Sequence, residues 1–312
     1  MMLDQMFTAK NFRKIFDREN RKGNNLATRY FPNLEPYTLA VRRTVQEIKD
    51  LRSRRETLGT QAFDDILSGL KSRLAEEKNQ KSNAIDAELE EISRIASQTG
   101  FAITLTQSLS PHGKTVYHTK DEPATYFVAK QLQNNLHRLY QVKQSNRHDL
   151  VCQIRDTVRS KFPFHLVRTD ISSFYETIDR KELLDKLDED QLLSASSKKY
   201  IGQILNSYAQ LTQESKGIPR GIGISAYLSE LFMRPIDQKI RSLSGTVLYC
   251  RYVDDIVAVF AQPPIGHHQR YLPKIAKIIE DHGLSCNQTK TKEIDLATPG
   301  PHKLQYLGGV NK

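Results

Sequence analysis

Apolar residues along this chain change their spacing from one region to the next, and the changes mark its parts. From Pro36 to about Leu58, Tyr37, Val41, Val45, Ile48 and Leu51 fall on one helical stripe among many charges. Phe63, Leu67, Leu70 and Leu74 form a second stripe that leads into Ile85, Leu89, Ile92 and Ile95. Seams this narrow predict a helical hairpin resembling a short antiparallel coiled coil, an appendage suited to a partner or to RNA. Ahead of it, Phe12, Ile15 and Phe16 recur at helical spacing in a basic segment that Gly23-Asn24-Asn25 ends, which predicts a helix packed on the body. Phe101–Leu105 and Thr115–Tyr117 read as short strands around Ser110-Pro111-His112-Gly113. Helices are expected from about Ala124 to Tyr140 and over Asp149–Arg159, with Lys143 and Arg147 just before the second.

The second half alternates strands with helices. Tyr249–Phe260 holds two apolar, β-branched runs that meet at Asp254-Asp255, the pattern of a buried hairpin with the acids at its tip. His165–Asp179 ends a short apolar strand on Asp170, then places Phe174, Tyr175 and Ile178 at helical spacing. Gly217–Met233 is a Gly/Pro loop feeding an amphipathic helix, with Ser225 placed to cap it. Further helices are expected over Lys181–Leu187, Lys198–Leu205 and Pro273–His282, the last followed by a strand at Lys290. Helices over one face of an antiparallel sheet make an α+β fold.

Neighbouring carboxylates are costly to bury unless a cation compensates them, so Asp254-Asp255 is either an acidic β-turn or part of a metal site. If the strand ending on Asp170 lies beside the hairpin, three acids meet. Hard divalent ions suit such oxygen sets: Mg²⁺ takes one or two carboxylates plus substrate phosphates, and two ions roughly 3.5–4 Å apart can clamp an in-line phosphoryl transfer.

Composition narrows the partners. The chain has 312 residues, 38% of them hydrophobic, enough for one large or two modest domains. A formal net charge of +10 favours a polyanion, although a ribosomal or membrane surface would explain the charge equally well. No stretch approaches the roughly 18–20 apolar residues of a membrane span and no signal-peptide core opens the chain, so the expected location is cytoplasmic. Cys152, Cys250 and Cys286 are widely spaced and odd in number, which speaks against a disulfide framework or a zinc site. His267-His268 is expected to face solvent.

An acid after a strand, then Pro219-Arg220-Gly221 with a Ser-headed helix, then Tyr252-Val253-Asp254-Asp255 resemble motifs A, B and C of the reverse-transcriptase palm. Gly283–Thr291 resembles motif D with Lys290 at its lysine, and Leu304–Gly309, with Tyr306, Leu307 and Gly308, resembles the primer grip of motif E. The resemblance covers roughly Phe101 to Gly309. Motif B departs from the family's usual Pro-Gln-Gly and Ser-Pro, reading Pro219-Arg220-Gly221 and Ser225-Ala226. In this it is similar to bacterial defence-associated reverse transcriptases, the abortive-infection-like group, and Met2–Gly23 resembles the first subunit of class-three defence systems.

The resemblance implies a right-hand polymerase with fingers and an antiparallel palm, preceded by a helical region: residues 1–100 helical with a coiled-coil-like hairpin, 101–163 fingers, 164–300 palm, and 301–312 primer grip and start of a thumb that is otherwise largely absent. It implies RNA-directed DNA polymerisation in antiphage defence. Asp170, Asp254 and Asp255, with the Ile171 carbonyl, would ligate two Mg²⁺ ions, or Mn²⁺, and Lys290 would protonate pyrophosphate. Tyr175 would exclude ribonucleotides, while Arg147, Arg220 and Gly221 would contact the nucleotide. Implied partners are an RNA template or noncoding RNA, the DNA product, deoxynucleoside triphosphates, and a second polymerase subunit or another copy of the chain; no membrane is implied. Two other readings stay open: a template-independent or protein-primed nucleotidyl transferase on the same fold, for which Arg220 speaks, and a non-polymerising nucleic-acid-binding subunit, against which the three acids speak.

Overall fold

Helical periodicity in the first hundred residues is realised as α1 (Ala9–Arg21), α2 (Leu26–Tyr30), α3 (Glu35–Ser53) and α4 (Thr60–Ser97) in a computed structural model, which describes residues 3–57, 59–111, 113–160, 162–261, 270–296, 304–306 and 309–311. The 38-residue α4 carries the whole of the second stripe, and α3 packs along it. Phe12, Ile15, Phe16, Leu26, Phe31 and Leu34 are buried, and the Phe12 and Phe127 rings lie 5.5 Å apart. Glu19 is the buried charge of this region, and it is compensated: Lys22 lies 3.0 Å and Lys130 3.4 Å from its carboxylate. Residues 4–102 and 120–131 form this first compact unit; residues 1–3, 103–119 and 132–312 form the second.

The second unit begins with an antiparallel hairpin, β1 (Leu105–Leu109) and β2 (Thr115–Thr119). The first strand was expected over 101–105 and lies further on. The Ile103 amide before it and the Leu105 amide at its start donate to Gln203 Oε1 and Ser207 Oγ, so side chains satisfy both. Then come α5 (Pro123–Tyr140), whose residues up to 131 belong to the first unit, α6 (Arg147–Arg159), β3 (Phe164–Asp170), the single turn α7 (Phe174–Thr177), α8 (Arg180–Glu189), α9 (Ala195–Thr212) and α10 (Gly223–Arg241). β4 (Thr246–Tyr252), β5 (Asp255–Ala261), α11 (Tyr271–Glu280), β6 (Lys292–Asp295), β7 (Leu304–Tyr306) and β8 (Gly309–Asn311) follow.

Four strands form the main sheet in the order β4-β5-β3-β6, every pair antiparallel. β5 is central and buried from Asp255 to Phe260, as its unbroken apolar run requires. Alternation divides the layers. Leu166, Val257, Val259 and Cys250 pack with Leu150 and Ile154 of α6 and with Tyr306, while Phe260, pointing the other way, stacks on Tyr271 of α11 with ring centroids 3.8 Å apart. This is the α+β sheet-and-helix arrangement the periodicity called for. Among the described residues no helix is long and apolar enough to cross a membrane.

Candidate active site

The antiparallel register of β3 and β5 sets Asp170 opposite Asp255, at the same end of the sheet as the β4–β5 turn. That turn is Val253-Asp254, with Val253 at φ +58, a left-handed conformation that β-branched residues rarely adopt. The Ile171 N–H donates to the Asp254 carbonyl at 3.0 Å, which stitches the chain after β3 to the turn. Asp170, Ile171 and Asp254 therefore line one cleft.

Each acid has its own electrostatic environment. Asp170 is buried at 6% exposure, accepts from Lys290 Nζ at 2.9 Å and from Asn287 Nδ2 at 3.4 Å. The Asp254 carboxyl is pushed above the ordinary carboxylate range by burial and then by the charge of Asp170, with Lys290 acting in the opposite direction. Asp255 is raised by burial, against which the Arg168 guanidinium works through two bonds of 3.2 and 3.1 Å. The three acids expected to share one metal cluster are thus divided: Asp255 is engaged by Arg168, and Asp170 and Asp254 face the cleft. Among the described residues no group of three His, Cys, Asp or Glu side chains is placed to hold a metal ion. A pair of mutually repelling carboxylates does fit Mg²⁺ in the form in which the ion completes its octahedron with waters and nucleotide oxygens.

The cleft holds about 660 Å³, and Lys114, Lys216, Arg220 and Lys290 stand around the acids. One of its walls comes from the loop before α10. Gly217 at φ +91 donates to the Ile178 carbonyl and Ile218 to the Tyr175 carbonyl, both at 2.7 Å. The Arg220 carbonyl accepts from the Tyr117 N–H at 2.7 Å, so this loop is bonded to β2. Gly221 has φ +104, and a Cβ there would lie 2.9 Å from the Tyr117 carbonyl oxygen, a place only glycine fills. Ser225 does not cap α10. The helix starts two residues earlier at Gly223, with Ile222 at the cap position, and the Ser225 hydroxyl donates back to the Pro219 carbonyl at 2.6 Å.

Arg220 pairs with Glu176 at 2.9 Å, and its guanidinium carbon lies 5.6 Å from the Tyr175 ring centroid. Tyr175 is half-buried; burial raises its hydroxyl, a hydrogen bond with Ser229 lowers it, and the charge of Asp254 raises it again. Phe174 is 1% exposed and its atoms, not those of Tyr175, contribute to the cleft wall. Lys290 sits in a turn, its N–H bonded to the Asn287 carbonyl, and the strand expected to contain it begins at Lys292. Arg147 opens α6 and is exposed, and it is not among the residues lining the cleft. Tyr306 is buried with its hydroxyl 3.4 Å from the Asp255 carbonyl. Leu307, Gly308 and His267-His268 lie outside the described residues.

Several site residues escape a reading of motifs. Arg168 precedes Asp170 by two positions, so period-two alternation places a cation on the same face of β3 as the acid, and that was the signal available. Lys114 and Lys216 carry none. They reach the cleft because a hairpin and a loop distant in sequence converge there.

With this geometry in view, residues 124–310 match the family model "Reverse transcriptase (RNA-dependent DNA polymerase)". The chain belongs to the reverse-transcriptase family. Similar solved structures are telomerase from Candida albicans in complex with a TWJ fragment of telomeric RNA, 15% identical over 70% of this chain and 45% of that one with a TM-score of 0.44, and two from Candida tropicalis. Of these, telomerase truncated from its C-terminal domain is 15% identical over 72% and 58% with a TM-score of 0.44, and apo telomerase is 14% identical over 68% and 47% with a TM-score of 0.46. This reverse-transcriptase chain spans about half the length of those chains. No curated protein matches it.

Proposed function

We propose that this chain copies RNA into DNA, adding deoxynucleotides by metal-assisted phosphoryl transfer at the cleft of Asp170 and Asp254. The observation that carries the reading is the meeting of these two acids, one at the end of β3 and one in the β4–β5 turn, in a cleft ringed by four cations. Divalent ions such as Mg²⁺, when bound, would be held by Asp170 and Asp254 with the Ile171 backbone beside them, and would supply charge neutralisation at the reacting phosphate.

The chain's own residues do the positioning. Lys114 and Lys216 are exposed on the cleft and would receive the triphosphate. Lys290, bonded to Asp170 at the cleft, would donate a proton to the leaving pyrophosphate. Asp255, gripped by Arg168, would act from one step behind, fixing the start of β5 and adding negative charge near the pair. Tyr175, covered by Arg220 behind the cleft wall, would come beneath the incoming sugar when Arg220 turns to the triphosphate, with Gly221 allowing close backbone approach to the nucleotide. Leu307, Gly308 and Tyr306 would hold the primer end. Arg147 would serve nucleic acid outside the cleft.

An antiphage role, a noncoding RNA and a second polymerase subunit are proposed on the motif resemblances alone, and copurification from phage-infected bacteria tests them. For the chemistry, the chain is supplied with a defined RNA, a primer and all four deoxynucleotides, and the product is sequenced. A complement of the supplied RNA supports the proposal. Homopolymer or random product would assign a template-independent transferase, the reading that Arg220 in place of the family's glutamine favours. Binding of nucleic acid with no synthesis would leave a non-polymerising subunit.

A further inference from the structure

An arginine near the end of a strand ordinarily keeps its head in water. Arg251, on β4 just before the Val253-Asp254 turn, has a side chain only 5% exposed. Its Nη1 and Nη2 donate to Glu230 at 3.0 and 2.7 Å, and its Nε and Nη2 donate to Asp237 at 2.8 Å each. Both acids lie on α10, two turns apart and so on one face of the helix. The Tyr249 hydroxyl donates to the same Asp237 carboxylate at 2.6 Å and steadies it. Burial works against the Arg251 charge, and the hydrogen bonds and charge of Asp237 and Glu230 more than offset it.

The two carboxylates take four of the guanidinium's five N–H groups, and the fifth, on Nη1, donates to the Val253 carbonyl at 2.9 Å. Val253 is the residue held at φ +58, and its carbonyl belongs to the peptide that leads into Asp254. On the far side of Asp254, its own carbonyl is held by the Ile171 N–H. The turn that presents the site acid is thus pinned at both of its peptide units. Buried ion pairs contribute little net stability compared with apolar packing, so the geometry they impose is the better account of an arginine here.

Resting on the polymerase reading above, we propose that Arg251 is a positioning residue: it ties the Val253–Asp254 peptide to Glu230 and Asp237 of α10 and so aims the Asp254 carboxylate at Asp170. A planar fork is needed for this. A lysine in its place keeps the charge but cannot serve two carboxylates and a carbonyl at once.

The test is amide hydrogen exchange of the full chain without nucleotide, paired with steady-state polymerisation, for Arg251→Lys. Freed of its outer clamp, the turn is expected to expose the Ile171 amide about 10-fold more often, roughly 1.4 kcal/mol, while amides further along β3, such as that of Val167, keep their protection. Polymerisation should fall roughly 100-fold in kcat, with the nucleotide KM changed less than about threefold. Ile240→Val on α10, a buried methyl deletion, should leave both readouts unchanged. If Arg251→Lys does not fold, Glu230→Gln loosens one arm of the clamp while Asp237 retains the guanidinium, and it should show the same local loss at Ile171. Wild-type exchange at Ile171 in a folded variant overturns the proposal, as does loss of protection spread evenly over β3. The two readings fail separately: a wild-type chain that makes no polymer sinks the polymerase reading while local loss at Ile171 leaves the clamp standing, and active wild type with unchanged Ile171 exchange in the variant sinks the clamp alone.

Discussion

Gly221→Ala perturbs the cleft with the smallest change that chemistry allows. The residue sits at φ +104, where a side chain costs about 1–3 kcal/mol of backbone strain. The new methyl would stand 2.9 Å from the Tyr117 carbonyl oxygen and 3.3 Å from the Tyr117 nitrogen, both backbone atoms of a paired strand that cannot swing aside. Relief requires the loop to move off β2, which lengthens the 2.7 Å bond from the Tyr117 N–H to the Arg220 carbonyl, a further loss of about 1 kcal/mol. The sum is about 2–4 kcal/mol, or roughly 5–12 °C in melting temperature for a unit of this size. Because the loop carries Arg220 and the hairpin carries Lys114, the nucleotide KM should rise about 10-fold or more as both cations shift from the phosphates. Thermal unfolding by circular dichroism and steady-state incorporation read the two effects. Gly202→Ala is the control: it lies in α9 with nothing within 4 Å of a new Cβ, and alanine there should be neutral or stabilise by up to about 1 kcal/mol. A Gly221→Ala chain that melts with the wild type, or one that melts early with an unaltered KM, would refute the account of this loop.

Asp254→Asn or Asp170→Asn should lower incorporation by about 10³-fold or more, and synthesis at the wild-type rate in either would remove that acid from the site. Since the Asp254 and Asp255 carboxyls are raised in the folded chain above their ordinary value of 3.8, each favours folding below that value, and the benefit is lost as pH rises through the higher folded value. Mg²⁺ should therefore raise the melting temperature more near neutral pH than in acid, and much less in Asp254→Asn; an increment independent of pH contradicts this. Tyr175→Val should raise ribonucleotide use relative to deoxynucleotide use, measured as the ratio of kcat/KM, whereas Phe174→Ala should cost about 3–5 kcal/mol of stability. A shift in sugar choice from Phe174 alone would reverse those roles. Affinity for an RNA–DNA hybrid should fall steeply between low and physiological salt, and a flat dependence would speak against a phosphate-tracking groove.

What the sequence determined alone was local. Two-residue alternation and β-branched runs specified β3, β4 and β5, helical stripes specified α3 and α4, and the acids were visible because they interrupt apolar runs where a buried charge has to be explained. Positions defined by turn chemistry, Gly217 and Gly221 among them, were legible for the same reason, since a positive φ narrows the choice of residue. Tertiary structure decided who pairs with whom. The antiparallel register turned Asp255 toward Arg168, α10 brought Glu230 and Asp237 to Arg251, and a hairpin and a loop about a hundred residues apart in sequence carried Lys114 and Lys216 to the cleft. Ser225 and Lys290 show the same division at small scale: each was recognised by type, but the start of α10 and the turn before β6 set where each side chain works. The physical reason is range. Backbone preference and periodicity act over a few residues, whereas an ion pair or a shared cleft forms between side chains whose separation along the chain carries no signal of their meeting in space.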